Sequence, residues 1–362
     1  IARKRSFTEP VPERIESWLG DAGAETLHGV ARLRDAHTLE VDGEVYEAAD
    51  LVIAAGSRPV ELDIPGEELV TTSAQFTELD ELPPRIVFVG GGYISFEFAW
   101  LARMAGAEVT LLHRSRHVLK GFDGQLADQL VERYRSLGID VHTDTPVRAV
   151  ERRDNGLLVT HECGDVAADL VVHGAGRVAD LADLGVEEAG IETGPRGVRV
   201  DEHLRSVSDP HVWAAGDAAD KGLPLTPVAS REGKVVAAGI LGEDAAYDGR
   251  AVPTICFSDP PLAAVGMSTA EAERRSDRVR VERADTSDWF SQRRVGHTHG
   301  GAALVTDAES GRLLGAHLLG VGADEVINVL ALAVRHGLTA ADLAATTFGY
   351  PTAASELSYL VG

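Results

Sequence analysis

Three consecutive glycines, Gly90-Gly91-Gly92, lie between an apolar run, Arg85–Val89, and a segment in which Ile94, Phe98, Leu101 and Ala105 recur at helical spacing. A second apolar run follows at Glu108–Leu112, so the order is strand, glycine loop, helix, strand within the ~30 residues of a βαβ unit. The glycines have separate purposes. Gly90 permits a tight turn, Gly92 lets a pyrophosphate approach the backbone, and the helix that follows presents its first N–H groups to the anion. Ser95 stands where the fingerprint has its third glycine, and is small enough for close helix packing. A glycine triplet alone also suits a plain strand-to-helix turn; the two flanking strands favour the nucleotide site.

The end of the second strand selects the nucleotide. A carboxylate there would bond the ribose 2′-hydroxyl of NAD, whereas a 2′-phosphate requires positive charge. The sequence reads His113-Arg114-Ser115-Arg116-His117-Val118-Leu119-Lys120, with no acid and three permanent cations, Arg114, Arg116 and Lys120. A solvated basic turn is the plainer alternative, but the chain's net charge is −23, against which such a cluster stands out. NADPH is therefore expected in preference to NADH. The same acidity argues against nucleic-acid binding, because a phosphate backbone favours basic grooves.

Elsewhere the pattern alternates. Residues 11–22 read as a helix, and 27–33 and 37–45 as short strands with Asp42-Gly43 as a turn signal. A buried strand is expected at 51–55, ending at Gly56. Further strands are expected near 140–142, 156–160, 170–173 and 212–215, the alternation implying a parallel sheet. From Pro253 the pattern becomes α+β: apolar runs at 301–307 and 312–320 flank Glu309-Ser310-Gly311. An amphipathic helix follows through Val326, Val329, Leu330 and Ala333 to Gly337, and Thr339 with Asp342 forms a capping box. Cys163 and Cys256 belong to no close pair, no metal-ligand pattern is present, and both are read as packing residues. His297, His299 and His336 are read as surface or capping residues. With no stretch of ~18 apolar residues and a charged start without an apolar signal core, a soluble cytoplasmic protein is expected.

The motifs resemble those of the pyridine nucleotide-disulfide oxidoreductases, the family of glutathione reductase, dihydrolipoamide dehydrogenase and mercuric reductase. The likeness rests on Ala54-Ala55-Gly56-Ser57-Arg58-Pro59, the Gly90 to Ala99 run, Gly174-Ala175-Gly176-Arg177, Ala215-Gly216-Asp217, Leu225-Thr226-Pro227-Val228-Ala229, and Phe257-Ser258-Asp259-Pro260-Pro261 before Ala264-Val265-Gly266. It implies an α/β chain with doubly wound, Rossmann-like FAD- and NAD(P)-binding domains and a C-terminal α+β dimerisation domain. The expected division is 1–82 and 206–249 for the FAD domain, 83–205 for the NAD(P) domain and 250–362 for dimerisation, giving a homodimer. Asp217 is expected at the flavin's ribityl chain, with Gly56, Gly176, Arg177 and Gly216 also at the cofactors. The segment from Thr226 through Pro227 and Val228 to Ala229, leading a helix, would place backbone N–H groups near the flavin pyrimidine, where negative charge collects on reduction. Gly90, Gly92, Ile94 and Ser95 would hold the nicotinamide nucleotide. Tyr93 resembles the gate over the flavin, and Glu97 the carboxylate beside hydride transfer.

Two departures follow. The family's opening FAD-pyrophosphate loop and C-x4-C pair do not occur, so residue 1 is expected to enter the pattern after both, inside a longer protein; these residues alone should bind FAD poorly and expose sheet edges. The family's H-P-T-x-x-E reads Tyr350-Pro351-Thr352-Ala353-Ala354-Ser355, with Glu356 one position late. Tyrosine's pKa near ~10 suits hydrogen-bond donation better than proton shuttling. The expected activity is hydride transfer from NADPH to FAD and onward to a disulfide or related acceptor. The alternatives are a flavoprotein reducing a quinone, a metal or oxygen, and a non-catalytic nucleotide-binding dimer.

Overall fold

Strand Arg85–Val89 alternates its apolar side chains between two cores. In the computed structural model, which describes residues 2–275 and 277–361, Ile86 and Phe88 pack with Phe96, Leu111, Leu130 and Tyr134 of the helical side. Val87 and Val89 pack with Leu112, Leu157, Val159 and Val171 on the other. Burial on both faces is why the run is apolar throughout.

The chain divides into two compact units, Ile1–Val60 with Arg177–Gly249, and Glu61–Gly176 with Arg250–Gly362. In the second, a parallel sheet runs in the order Leu170–His173, Arg85–Val89, Glu108–Leu112, Ile139–His142. Helices Tyr93–Met104 and Gly124–Ser136 make the crossovers. Gly156–His161 is a strand, but of a separate antiparallel sheet with Val147–Arg153 and Gly164–Ala168. Sequence alternation alone does not separate it from the parallel strands.

The helix after the glycine loop buries Ser95, Phe96, Ala99 and Ala102, whereas Leu101 is exposed and Ile94 and Phe98 are half-buried. The expected face is thus displaced by about one position. Small side chains, not the largest apolar ones, let this helix approach the sheet.

The same unit carries a five-stranded antiparallel sheet in the order Thr254–Cys256, Leu262–Gly266, Leu313–Leu319, Gly301–Asp307, Val279–Asp285. Helix Ala323–His336 packs on it through Val326, Ile327, Leu330 and Ala333, and ends at Gly337 in the left-handed region. The Thr339–Asp342 capping box forms as expected. Asp123, capping helix Gly124–Ser136, accepts from Thr269 Oγ1 at 2.7 Å and from Arg283 at 3.0 Å, joining that helix to the antiparallel sheet.

The first unit opens with helices Ala2–Thr8 and Val11–Asp21, of which the sequence reading found the second. A meander, Ala31–Leu33, Thr38–Val41 and Glu44–Glu47, turns at Asp42 and Gly43, both at positive φ. Strand Leu51–Ile53 pairs in parallel with Val212–Ala214. It is shorter than expected and its middle residue, Val52, is 47% exposed. Ser57–Pro59 pairs antiparallel with Arg177–Ala179.

Cys256 is fully buried, but Cys163 is exposed in the turn after Gly156–His161, so only the first is a packing residue. His336 is exposed in the last turn of its helix. His297 departs from the surface reading: it is largely buried, and its Nε2 lies 3.3 Å from Asp259, which also pairs with Arg133 at 2.8 Å.

Candidate functional site

The nucleotide half is built from the glycine loop outward. Gly90 sits at φ +113°, and a Cβ there would stand 2.3 Å from the Gly174 carbonyl oxygen. No other residue fits that turn. Gly92 is extended and caps the twelve-residue Tyr93–Met104 helix without a side-chain acceptor. Ser95 is fully buried with its Oγ unpartnered, turned toward Gly174, where a Cβ would lie 2.0 Å from it. The glycine missing at position 95 is thus compensated by one at 174. Ile94 is half-buried, Gly176 is at φ +130°, and Tyr93 opens the helix 45% exposed.

Beyond the second strand, Arg114, Arg116 and Lys120 are all exposed, and none makes an ion pair among the described residues. Their charge is available to a ligand. Glu97, one turn into the helix, accepts the Phe257 N–H at 2.9 Å. Burial pushes its carboxyl up, against the lowering effect of that bond.

A second cluster of the expected residues lies within the first unit. Ser57 Oγ donates to Asp217 Oδ2 at 2.7 Å, and Arg177 donates through Nε to Ser57 Oγ at 2.9 Å and through Nη2 to the Ser57 carbonyl. Gly56 at φ +71° and Gly216 at φ +66° make the turns that bring Ser57 and Asp217 together. Helix Thr226–Ile240 begins after Leu225, which offers no side-chain cap, and has proline in its first turn. Thr226 and Pro227 are exposed, Val228 is buried, and Ala229 packs close to Gly216.

This donor set fits one end of FAD in part: a carboxylate suits ribityl hydroxyls, and the helix N-terminus suits, through its dipole, a pyrimidine that gains negative charge. Contrary to the expectation that the N–H groups of this segment face the flavin, Pro227 has none, and those of Val228 and Ala229 donate to the Leu225 carbonyl. The sequence reading missed Glu232, fully buried, whose Oε2 accepts the Gly216 N–H at 2.7 Å. Burial pushes its carboxyl up. Its signal was present: Val228, Glu232 and Val236 form one stripe at four-residue spacing, with a carboxylate where an apolar residue belongs.

Tyr350 is 81% exposed. Neither residue near the family's glutamate position orients it. Ser355 shares a capping box with Thr352, and Glu356 accepts the Ser291 N–H at 2.8 Å and the Ser291 hydroxyl at 2.5 Å.

Comparison with known proteins accords with this arrangement. Residues 4–233 match the family model described as pyridine nucleotide-disulphide oxidoreductase, and 252–361 match that family's dimerisation domain. The chain is 33% identical to the chloroplastic/mitochondrial glutathione reductase of Pisum sativum, over 98% of this chain and 65% of that one. It is 34% identical to the dihydrolipoyl dehydrogenase of Haloferax volcanii, over 98% and 78%. Among solved structures, the Cu(II) complex of a mutant of RclA, an HOCl-induced flavoprotein disulfide reductase from Escherichia coli, superposes with a TM-score of 0.91 at 28% identity, covering 99% of this chain and 83% of that one. The chain thus spans about two thirds of the pea enzyme's length. No helix among the described residues is long and apolar enough to cross a membrane.

Proposed function

The chain belongs to the pyridine nucleotide-disulphide oxidoreductases, and from that premise we propose that it serves an FAD-dependent oxidoreductase that takes hydride from NADPH. The observation that carries this reading is the presence, in one chain, of an uncapped glycine-loop helix beside three unpaired cations and of the Arg177–Ser57–Asp217 chain beside a second uncapped helix. FAD, when bound, accepts the hydride and releases electrons to an acceptor. Asp217 orients the ribityl chain, held by Ser57 and Arg177. The Thr226–Ala229 turn stabilises negative charge near the pyrimidine. By the family resemblance Tyr93 would serve as the gate over a bound flavin, and Glu97 would supply a carboxylate beside the hydride-transfer locus. The preference for NADPH over NADH rests on Arg114, Arg116 and Lys120; relatives include dihydrolipoyl dehydrogenases as well as glutathione reductases.

The acceptor we propose is a disulfide or related acceptor, reduced to thiols, and the working unit a cytoplasmic homodimer joined through 250–362, with 1–82 and 206–249 forming the FAD domain and 83–205 the NAD(P) domain. Tyr350 favours a second reading, because an exposed phenol that no neighbouring carboxylate orients suits a non-disulfide acceptor such as a quinone, a metal ion or oxygen. Anaerobic mixing of the flavin-loaded protein with NADPH tests the first step. Bleaching of the flavin absorbance supports the reading; NADPH binding without bleaching leaves a non-catalytic nucleotide-binding dimer. Adding a disulfide or a quinone to the reduced protein then separates the two acceptors.

A further inference from the structure

Glu232 takes no part in the hydride transfer proposed above, yet its carboxylate is fully buried. The short turn Gly216–Ala218, which carries Asp217, begins after Ala215, a residue with no side-chain acceptor to offer. The Gly216 N–H must therefore find a partner outside its own turn. It finds Glu232 Oε2 at 2.7 Å, from helix Thr226–Ile240.

The second oxygen points to the loop that leads into the same helix. A Cβ on Gly222 would stand 2.3 Å from Oε1 and 2.7 Å from Val228 Cγ1. A Cβ on Gly216 would in turn stand 3.1 Å from that of Ala229, so glycine at φ +66° is what lets the turn settle onto the helix. The carboxylate thus lies between the Asp217 turn and the loop before the helix. Beyond it, the Asp220 N–H donates to the Val198 carbonyl and Lys221 Nζ to the Asp201 carbonyl, both at 2.8 Å. Neither bond reaches Gly216.

Packing alone does not call for a carboxylate at 232. Val228 and Val236 are buried on the same face of the helix, and a leucine between them would complete an apolar stripe without the desolvation cost of an acid. What a leucine lacks is an acceptor for Gly216. Asp217 is held from two sides: its Oδ2 accepts the Ser57 hydroxyl at 2.7 Å, and the N–H of the residue before it is held by Glu232.

On the reading that Asp217 meets the ribityl chain, we propose that Glu232 is a positioning residue for the flavin: through the Gly216 N–H it fixes the direction in which Asp217 presents its carboxylate.

The test is FAD binding, followed by flavin fluorescence, in wild type, Glu232→Gln, Glu232→Asp and Glu232→Leu, each also in an Asp217→Ala background. Glu232→Gln keeps an acceptor at the same reach and should bind FAD within about twofold of wild type. Glu232→Leu has no acceptor and Glu232→Asp is a methylene short, so both should bind about fivefold or more weakly, the scale of one hydrogen bond. In the Asp217→Ala background these differences should vanish, because no carboxylate is left to aim. Amide exchange of Gly216 in the flavin-free protein checks the bond itself: protection in wild type and Glu232→Gln, and its loss in Glu232→Asp, are expected.

An Asp217→Ala protein that binds FAD as tightly as wild type overturns the underlying reading of Asp217. Losses that persist undiminished in the Asp217→Ala background, a Glu232→Gln protein as weak as Glu232→Leu, or equal exchange of Gly216 in all the proteins compared overturns the role of Glu232 and leaves that reading standing. If Glu232→Leu does not fold, Glu232→Asp against Glu232→Gln decides the matter.

Discussion

The Ser95 hydroxyl occupies the space that a side chain on Gly174 would need, 2.0 Å from an ideal Cβ. The two positions are therefore coupled: serine at the third fingerprint position is tolerated because its neighbour across the helix–strand contact is glycine. Gly174→Ala should cost about 1–3 kcal/mol, the usual range for overpacking a tight core. In a Ser95→Ala background the nearest remaining contacts to that Cβ are at 3.2 Å, so the cost should shrink. A double-mutant cycle by denaturant unfolding measures it, and additive effects would contradict the coupling.

Asp123 ties the Gly124–Ser136 helix to the antiparallel sheet. Burial raises its pKa, but the Thr269 hydroxyl, the Leu126 N–H and Arg283 together hold it below the ordinary aspartate value. The sign follows from that depression. Its stabilisation is present above the unfolded-state pKa of ~3.9 and is lost as pH falls through the lower folded value. Asp123→Ala should cost roughly 2–3 kcal/mol near neutral pH, from a lost cap and a lost charge-assisted bond. The gap between wild type and variant should narrow in unfolding curves taken below that pH. A gap unchanged by acid would show that the carboxylate's charge contributes nothing.

Ser57 gives its proton to Asp217 and accepts one from Arg177, so Ser57→Ala breaks both bonds at once. Bonds to charged groups contribute ~1.5–3 kcal/mol, enough to weaken flavin retention about tenfold or more. Ser57→Thr keeps the hydroxyl and should largely restore it. Flavin fluorescence on dilution of the loaded protein gives the dissociation constant; equal retention in all three proteins would remove Ser57 from the site.

Much of this was legible in the sequence because it rests on local rules. Gly90 at positive φ, the Asp42-Gly43 turn, the cap at Gly337 and the Thr339–Asp342 box each depend on a few neighbouring residues. What the sequence hid depends on distant pairs. The fit of Ser95 to Gly174 and the use of Glu356 by Ser291 join residues that no periodicity connects. The helix face after the glycine loop was misplaced for a related reason. A hydrophobic pattern weights Leu101 above Ala99 and Ala102, whereas close packing on a sheet selects the small side chains.

The nucleotide preference is the claim on which the functional account most directly rests, and equilibrium binding of NADPH and NADH measures it without any need for turnover. Wild type should bind NADPH at least tenfold more tightly, the scale of one charge-assisted contact. Replacing Arg114, Arg116 and Lys120 together by Gln should remove that advantage while leaving NADH affinity within about twofold, because NADH has no 2′-phosphate for those charges to meet. NADH bound as tightly as NADPH by the wild-type protein, or an NADPH preference that survives loss of all three cations, would contradict the account.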